Sequence, residues 1–246
     1  MMGKLDGRRL LLTRSADDAA DWVGRIEAEG ARTVVLPCIT TISADDALLA
    51  ERLQGALTNA DWLVFTSRRG VDATAALPFA QPDLAATRIA TVGQVTAESA
   101  RAAFGRVDLV GQKTAATLAA ELAASIKPGT RCVLALAANA DNTLERALTK
   151  AGASVLRFNV YRTVPAAAGV TKRRLSTLDC DTVIFASPSA VTGFDNQVEV
   201  DAATRIVTIG PSTSAAVRER DWTVTGEAKE PSLSSIIELL AESADV

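Results

Sequence analysis

The sequence predicts an α/β protein made of two similar halves, each built on a parallel sheet of five strands. Two observations carry this. Short apolar runs alternate along the whole chain with Ala-rich amphipathic stretches, the rhythm of βα units whose strands run parallel. The chain also repeats itself: "TRIATVGQVTA" at 87–97 and "TRIVTIGPSTS" at 204–214 share six of eleven positions.

Taken in order, the expected strands are 10–13, 33–36, 62–66, 89–92, 107–110, 132–136, 155–158, 182–186, 206–209 and 222–225. The first helix, "ADDAADWVGRIEAEG", places Trp22, Val23 and Ile26 on one face, and Gly30 supplies its stop. The duplication reaches beyond the opening pair. "ADWLVFTSRRGV" from Ala60 answers to "CDTVIFASPSAV" from Cys180. The stretch from Arg9 answers to the one from Arg131, each ending in a Gly-Ala before its second strand. A repeat of this length means two similar domains rather than a solenoid.

Two segments break the βα rhythm at equivalent places: "LPCITTIS" from Leu36 and "FNVYRTVP" from Phe158, the second holding the lone tyrosine, Tyr161. Both are extended, β-branched and proline-bearing, as a connector should be. "KPGT" at 127–130 marks where a plain tandem boundary would fall instead, and the residues alone leave tandem and exchanged halves both open.

Composition excludes several classes of chemistry. Hydrophobic residues make up 48 % of 246 residues, enough for substantial cores, and no apolar run approaches the roughly 20 residues of a membrane span. The polar "MMGKLDGRR" start has no signal-peptide character, so a cytoplasmic location is expected. Three scattered cysteines (Cys38, Cys132, Cys180) suit reduced thiols. A net charge of −3 without a basic stripe argues against nucleic acid as a partner. There is no histidine, which removes Ser-His-Asp and Cys-His catalysis and His-ligated metals, and a zinc site is not expected. Chemistry is left to hydroxyls, carboxylates, Arg/Lys and backbone amides.

In parallel α/β sheets, ligands bind beyond the carboxyl ends of strands, where helices begin. The polar clusters fall at such places: "LLTRS" with Arg14, "VFTSRRG" with Ser67, Arg68 and Arg69, "IFASPSA" with Ser187, and "EPSLSSI" with Ser232. "TVGQVTA" and "TIGPSTS" each run strand, glycine (Gly93, Gly210), two residues, then threonine (Thr96, Thr213), with Ser212 in the second. Taken singly, each hydroxyl reads first as an ordinary N-cap and each proline as ordinary N1 punctuation. As a set they describe open helix N-termini, which bind anions through unpaired N–H groups and the helix dipole. No P-loop or G-x-G-x-x-G fingerprint is present. The pairs Asp17–Asp18 and Asp45–Asp46 read as first-turn helix charges, and Arg68–Arg69 equally as a solvated face.

Together "LLTR", "VFTSRRGV", "TVGQVTA", "GASVLRFNVYRT", "VIFASPSAV", "TIGPSTSAAV" and "EPSLSSIIELL" resemble, in order and over almost the entire chain, the uroporphyrinogen-III synthase family. The resemblance implies two flavodoxin-like domains joined by a two-strand linker. Domain one would hold 1–36 and 166–246, domain two 43–158, with 37–42 and 159–165 as linkers. Similar anion-binding helix ends would then stand on opposite walls of one cleft. It implies a cofactor-free, monomeric enzyme that closes hydroxymethylbilane, a linear tetrapyrrole with eight carboxylates, to uroporphyrinogen III. The hydroxyl is lost and ring D is inverted through a spiro intermediate. Positioning, which supplies about 7–11 kcal/mol in well-oriented reactions, suits a chain without histidine.

By the same resemblance Tyr161 is the catalytic candidate, assisting hydroxide departure. A phenol, with an ordinary pKa of about 10, is a reluctant acid but donates a hydrogen bond. A packing or ladder tyrosine is the competing role. Thr96 and Thr213 are the helix-start threonines, and Arg14, Ser67, Arg68, Gly93, Ser187, Gly210 and Ser212 complete the substrate-binding set. Where many relatives carry Pro-Arg after the sixth strand, this chain has Ala137–Ala138, so a basic contact is expected to be missing there. The helix and short tail to Val246 suggest a stand-alone enzyme. A non-catalytic two-domain protein sensing a small anionic ligand is the main alternative, and a phosphosugar- or nucleotide-processing enzyme a third.

Overall fold

The computed structural model describes residues 3–242 apart from 45, 79–83, 85, 113, 170 and 201–203. Asp45, the side chain of Asp17 and the tail to Val246 therefore lie outside the described residues. In chain order the elements begin β1 (Arg9–Leu12), α1 (Ala16–Glu27), β2 (Arg32–Val35), β3 (Ile39–Ser43), α2 (Ala47–Leu57) and β4 (Trp62–Phe65). Next come α3 (Arg68–Ala75), β5 (Arg88–Val92), α4 (Gly93–Phe104), β6 (Leu109–Gly111), α5 (Ala115–Ser125) and β7 (Arg131–Ala137). Then follow α6 (Thr143–Lys150), β8 (Ser154–Pro165), β9 (Arg173–Arg174), a 3₁₀ turn (Leu175–Leu178), β10 (Thr182–Phe185) and α7 (Pro188–Asp195). The chain closes with β11 (Val198–Glu199), β12 (Arg205–Thr208), α8 (Pro211–Arg218), β13 (Gly226–Glu227) and α9 (Leu233–Glu242).

The chain divides into two compact units, Met1–Thr40 with Val164–Val246, and Thr41–Thr163. It crosses from one to the other within β3 and within β8. In the first unit the sheet order is β13-β12-β10-β1-β2, with every pair parallel. Strand alternation sorts the side chains to two faces. Leu10, Leu12, Ile184 and Val207 pack with Trp22 and Ile26 of α1 and Ile236 and Leu240 of α9. Leu11, Val183, Phe185 and Ile206 pack with Val191 and Phe194 of α7 and Val217 of α8.

The second unit repeats the plan. Its sheet order is β3-β8-β7-β4-β5-β6, with β8 through β6 parallel. Leu63, Phe65, Ile89, Val133 and Ala135 face Leu53 of α2, Val71 of α3 and Ala100 of α4. Val64, Ala90, Cys132 and Leu134 face Leu118 and Leu122 of α5 and Leu148 of α6. Parallel strands covered on both faces are apolar throughout, which is why "WLVF" and "TVIF" show no polar alternation.

Several expectations need correction. The strand expected at 155–158 is the start of a twelve-residue strand that runs through the odd segment to Pro165. The other odd segment supplies β3, so the second sheet has six strands rather than five. Residues 222–225 are not a strand: the ladder with β12 forms at Gly226–Glu227. Asp221 adopts φ 57 and Trp222 stacks on Phe185 with ring centroids 6.4 Å apart, so the chain dips into the core before it pairs. The expected strand at 107–110 shifts to Leu109–Gly111, because the Asp108 carboxylate accepts from Ile89 N–H at 2.7 Å in place of a ladder bond. The small parallel pair β9–β11 was not anticipated.

Candidate functional site

The candidate residues gather in two sets, one at the carboxyl edge of each sheet. In the second unit Ser67 follows β4 in extended conformation, φ −155, and its Oγ accepts from Gly70 N–H at 3.1 Å. The same Oγ lies 2.8 Å from the Tyr161 hydroxyl, 94 residues along the chain. A β-bulge makes this meeting possible. The β7–β8 register passes from Leu136↔Asn159 to Ala137↔Tyr161, an extra residue that re-aims everything after it. Phe158, Val160 and Tyr161 consequently join one core, although strict alternation would have turned Tyr161 to the other face. The ring is 8 % exposed. The ring packs in that core while the hydroxyl meets Ser67.

Arg68 opens α3. A cation in the first turn opposes the helix dipole. Arg68 makes no ion pair among the described residues, so no local partner offsets that cost. On the neighbouring strand β5, α4 starts at Gly93 with no side-chain cap. Its first N–H groups have no partner within the helix. Gly93 adopts φ +69, a region that favours glycine. Gln94 and Val95 are exposed, and Thr96 is buried beneath them.

In the first unit Arg14 follows β1. Its guanidinium lies 4.4 Å over the Trp22 ring and 4.0 Å from the Asp18 carboxylate, so it is held against its own helix. Ser187 follows β10 and caps α7, accepting from Ala190 N–H at 3.2 Å, with its Oγ 3.1 Å from Ser189 Oγ. Gly210, extended at φ 165, precedes α8, which also has no side-chain cap. Ser212 is exposed and Thr213 is 1 % exposed. Both threonines are thus covered, and the exposed groups at these two helix ends belong to Gln94, Val95, Pro211 and Ser212.

One organiser escaped the sequence reading. Arg157, in the middle of β8, donates to Ala137 O at 2.8 Å, Ala140 O at 3.0 Å, Asn159 Oδ1 at 2.8 Å and Glu145 Oε2 at 2.9 Å. It holds the turn that follows β7, at Ala137–Ala138. The guanidinium delivered there is spent on carbonyls and Glu145. Nothing in "SVLRFN" signals this, because the partners come from a turn some twenty residues upstream.

The thiols offer no nucleophile. Burial pushes Cys38 up to about 12. Burial, and then the Asp61 charge, pushes Cys132 up to about 11. Burial and then Asp181 do the same to Cys180. All three stay protonated near neutrality. Among the described residues no cluster of His, Cys, Asp or Glu could hold a metal ion, and no helix is long and apolar enough to cross a membrane.

Comparisons with known proteins agree with this architecture. The family described as uroporphyrinogen-III synthase HemD matches residues 20–238. The chain is similar to the uroporphyrinogen-III synthetase of Helicobacter pylori 26695 at 17 % identity, covering 96 % of this chain and 99 % of that one, with TM-score 0.64. It is also similar to a mutant uroporphyrinogen III synthase of the extremely thermophilic bacterium Thermus thermophilus at 19 % identity, covering 94 % and 96 %, with TM-score 0.53. Those likenesses carry the fold, and the family match spans most of the sequence: this chain belongs to the uroporphyrinogen-III synthase family.

Proposed function

We propose that the protein cyclises hydroxymethylbilane to uroporphyrinogen III, with loss of water and inversion of ring D. The observation that carries this is the Ser67–Tyr161 hydroxyl pair, 2.8 Å apart, at the carboxyl edge of a sheet whose next helix, α4, begins with an uncapped amide end. Tyr161 donates a hydrogen bond to the departing hydroxyl, and Ser67 orients the phenol as it does so. The substrate's carboxylates bind to open N–H groups at α4 and, in the other unit, to the Ser212 N–H at the start of α8, assisted by the helix dipoles. Arg68 adds a cation beside the first of these, and Arg14, Ser187 and Ser212 act with the second. Gly93 and Gly210 keep the approach to the amides free, while Thr96 and Thr213 support the first turns from below. Exposed Val95, 65 % accessible, offers an apolar surface to a pyrrole face.

The fold reading belongs with this proposal. Counted along the chain, the first unit's strands lie in the order 2-1-3-4-5, the flavodoxin-like arrangement. The second unit has the same order if its count starts at β7. The domains are then 1–36 with 166–246 and 43–158, with 37–42 and 159–165 as linkers. The test supplies freshly generated hydroxymethylbilane to the purified protein, oxidises the products and separates the porphyrin isomers. Predominantly type III is expected. Type I alone, at the spontaneous rate and from a folded sample, overturns the proposal.

A further inference from the structure

Beside Tyr161 the second unit contains a cavity of about 110 Å³, lined among others by Ser43 of β3, Ala138 after β7, and Asn159, Tyr161 and Arg162 of β8. All of these residues lie within Thr41–Thr163. Among the described residues no carboxylate lines it. Arg162 is exposed and makes no ion pair among the described residues. Asn159 Oδ1 accepts from Arg157 Nε at 2.8 Å. Because arginine only donates, this fixes the amide's orientation and leaves its NH₂ group to donate. The space suits one short carboxylate arm, and a carboxymethyl group is the shorter of the two kinds the substrate carries.

We infer that this cavity is a subsite for one carboxymethyl (acetate) side chain of the substrate, with Arg162 as its charge partner and Asn159 and Ser43 as supporting donors. The inference rests on the tetrapyrrole reading above and deepens it. A guanidinium beside a half-enclosed cavity pairs with a carboxylate in two parallel hydrogen bonds. A site built to satisfy such a group rejects ligands that lack it, because its donors are then left unpaired. Tyr161 also lines the subsite, so a held acetate restrains the pyrrole that carries it near the strand that bears the phenol. Arg162 is thereby a binding and specificity residue, and Tyr161 retains the contact with the reacting carbon's leaving group.

Two stable porphyrins separate this from general attraction. Uroporphyrin III carries acetates where coproporphyrin III carries methyls, and both keep four propionates. Fluorescence titration of the full chain should show tighter binding of uroporphyrin III. Arg162→Met should weaken that binding about tenfold while leaving coproporphyrin III within twofold. Arg162→Lys should recover part of the loss, and Ser43→Ala should weaken uroporphyrin III binding by a smaller factor. Equal weakening for both porphyrins, unchanged affinity in Arg162→Met, or no uroporphyrin III binding by the unaltered protein each overturns the subsite. The titration does not depend on turnover. Type I product alone, with the Arg162-dependent acetate preference intact, would remove the reaction and keep the pocket.

Discussion

At the foot of α8 the Thr208 hydroxyl lies 2.6 Å from Ser214 Oγ, with both side chains fully buried. At the foot of α4 the equivalent Thr91 is as deeply buried, but Ala97 stands where α8 has Ser214, and the Thr91 hydroxyl has no hydrogen-bond partner among the described residues. The serine caps diverge in the same sense. Ser187 shares its hydroxyl with Ser189 two residues away, whereas Ser67 shares its own with Tyr161 from a distant strand. The duplicated halves start helices at the same strand ends. The first unit closes its hydroxyls on one another locally, and the second commits one to Tyr161 and leaves another unsatisfied. The strand-to-helix plan survived duplication, while the side-chain partnerships and the conformations of Gly93 and Gly210 diverged.

The largest effect should come from breaking the long-range partnership. Tyr161→Phe should lower turnover about 10²-fold, the scale of a lost proton donor, with thermal stability nearly unchanged. Ser67→Ala and Ser187→Ala each remove a cap worth about 1 kcal/mol, yet only Ser67→Ala should also slow the reaction. Paired kinetic and urea-unfolding measurements read both quantities. Equal turnover losses in the two serine variants would mean that the units are functionally alike.

Next in size are the buried hydroxyls. Thr208→Val strands Ser214 and should cost about 1–3 kcal/mol, the penalty of an unsatisfied buried group. Thr91→Val removes a hydroxyl that is already unpaired and should be neutral or stabilising. A loss at Thr91 as large as that at Thr208, by urea midpoint, would show that the contrast is not energetic.

The smallest effect concerns the glycines. Gly93→Ala places a side chain at φ +69 and should cost about 1–2 kcal/mol, the strain of a left-handed residue. At Gly210 an added Cβ meets nothing within 4 Å and the backbone is extended, so Gly210→Ala should leave stability within about 0.5 kcal/mol. Its methyl group stands at an open helix end, so it should still weaken substrate binding, seen as a raised KM. Matching stability losses in the two variants would remove the conformational distinction.

Much of this was legible in the sequence because it is local. The β-branched runs, the Gly-x-x-Thr starts and the serine caps depend on residues within one turn of each other, and duplication printed them twice. The sequence also marked Tyr161 as out of rhythm. What it hid is set by pairing register. The bulge at Leu136/Ala137 decides which way Tyr161 faces, and no run of residues announces it. Arg157 reads as an unremarkable strand cation until the turn after β7 is folded over it. Trp222–Thr225 has every local mark of a strand, but packing of the indole against Phe185 outweighed that propensity.

The order of strands in the first unit also governs how the molecule is made. Thr13 Oγ1 donates to Ile184 O across 171 residues, and β1 finds its neighbour β10 only when that late strand exists. During synthesis at about 5–20 residues per second, the N-terminal strand "RLLL" waits roughly ten to thirty seconds for β10, with only its other neighbour "RTVV" to pair with meanwhile. The second unit, contiguous in the chain, is complete shortly before β10 emerges. The nascent chain therefore carries a finished unit and a two-stranded fragment with one open apolar edge. Chaperone capture and premature cleavage should concentrate on that opening stretch, although the folded protein buries Leu10, Leu11 and Leu12 completely.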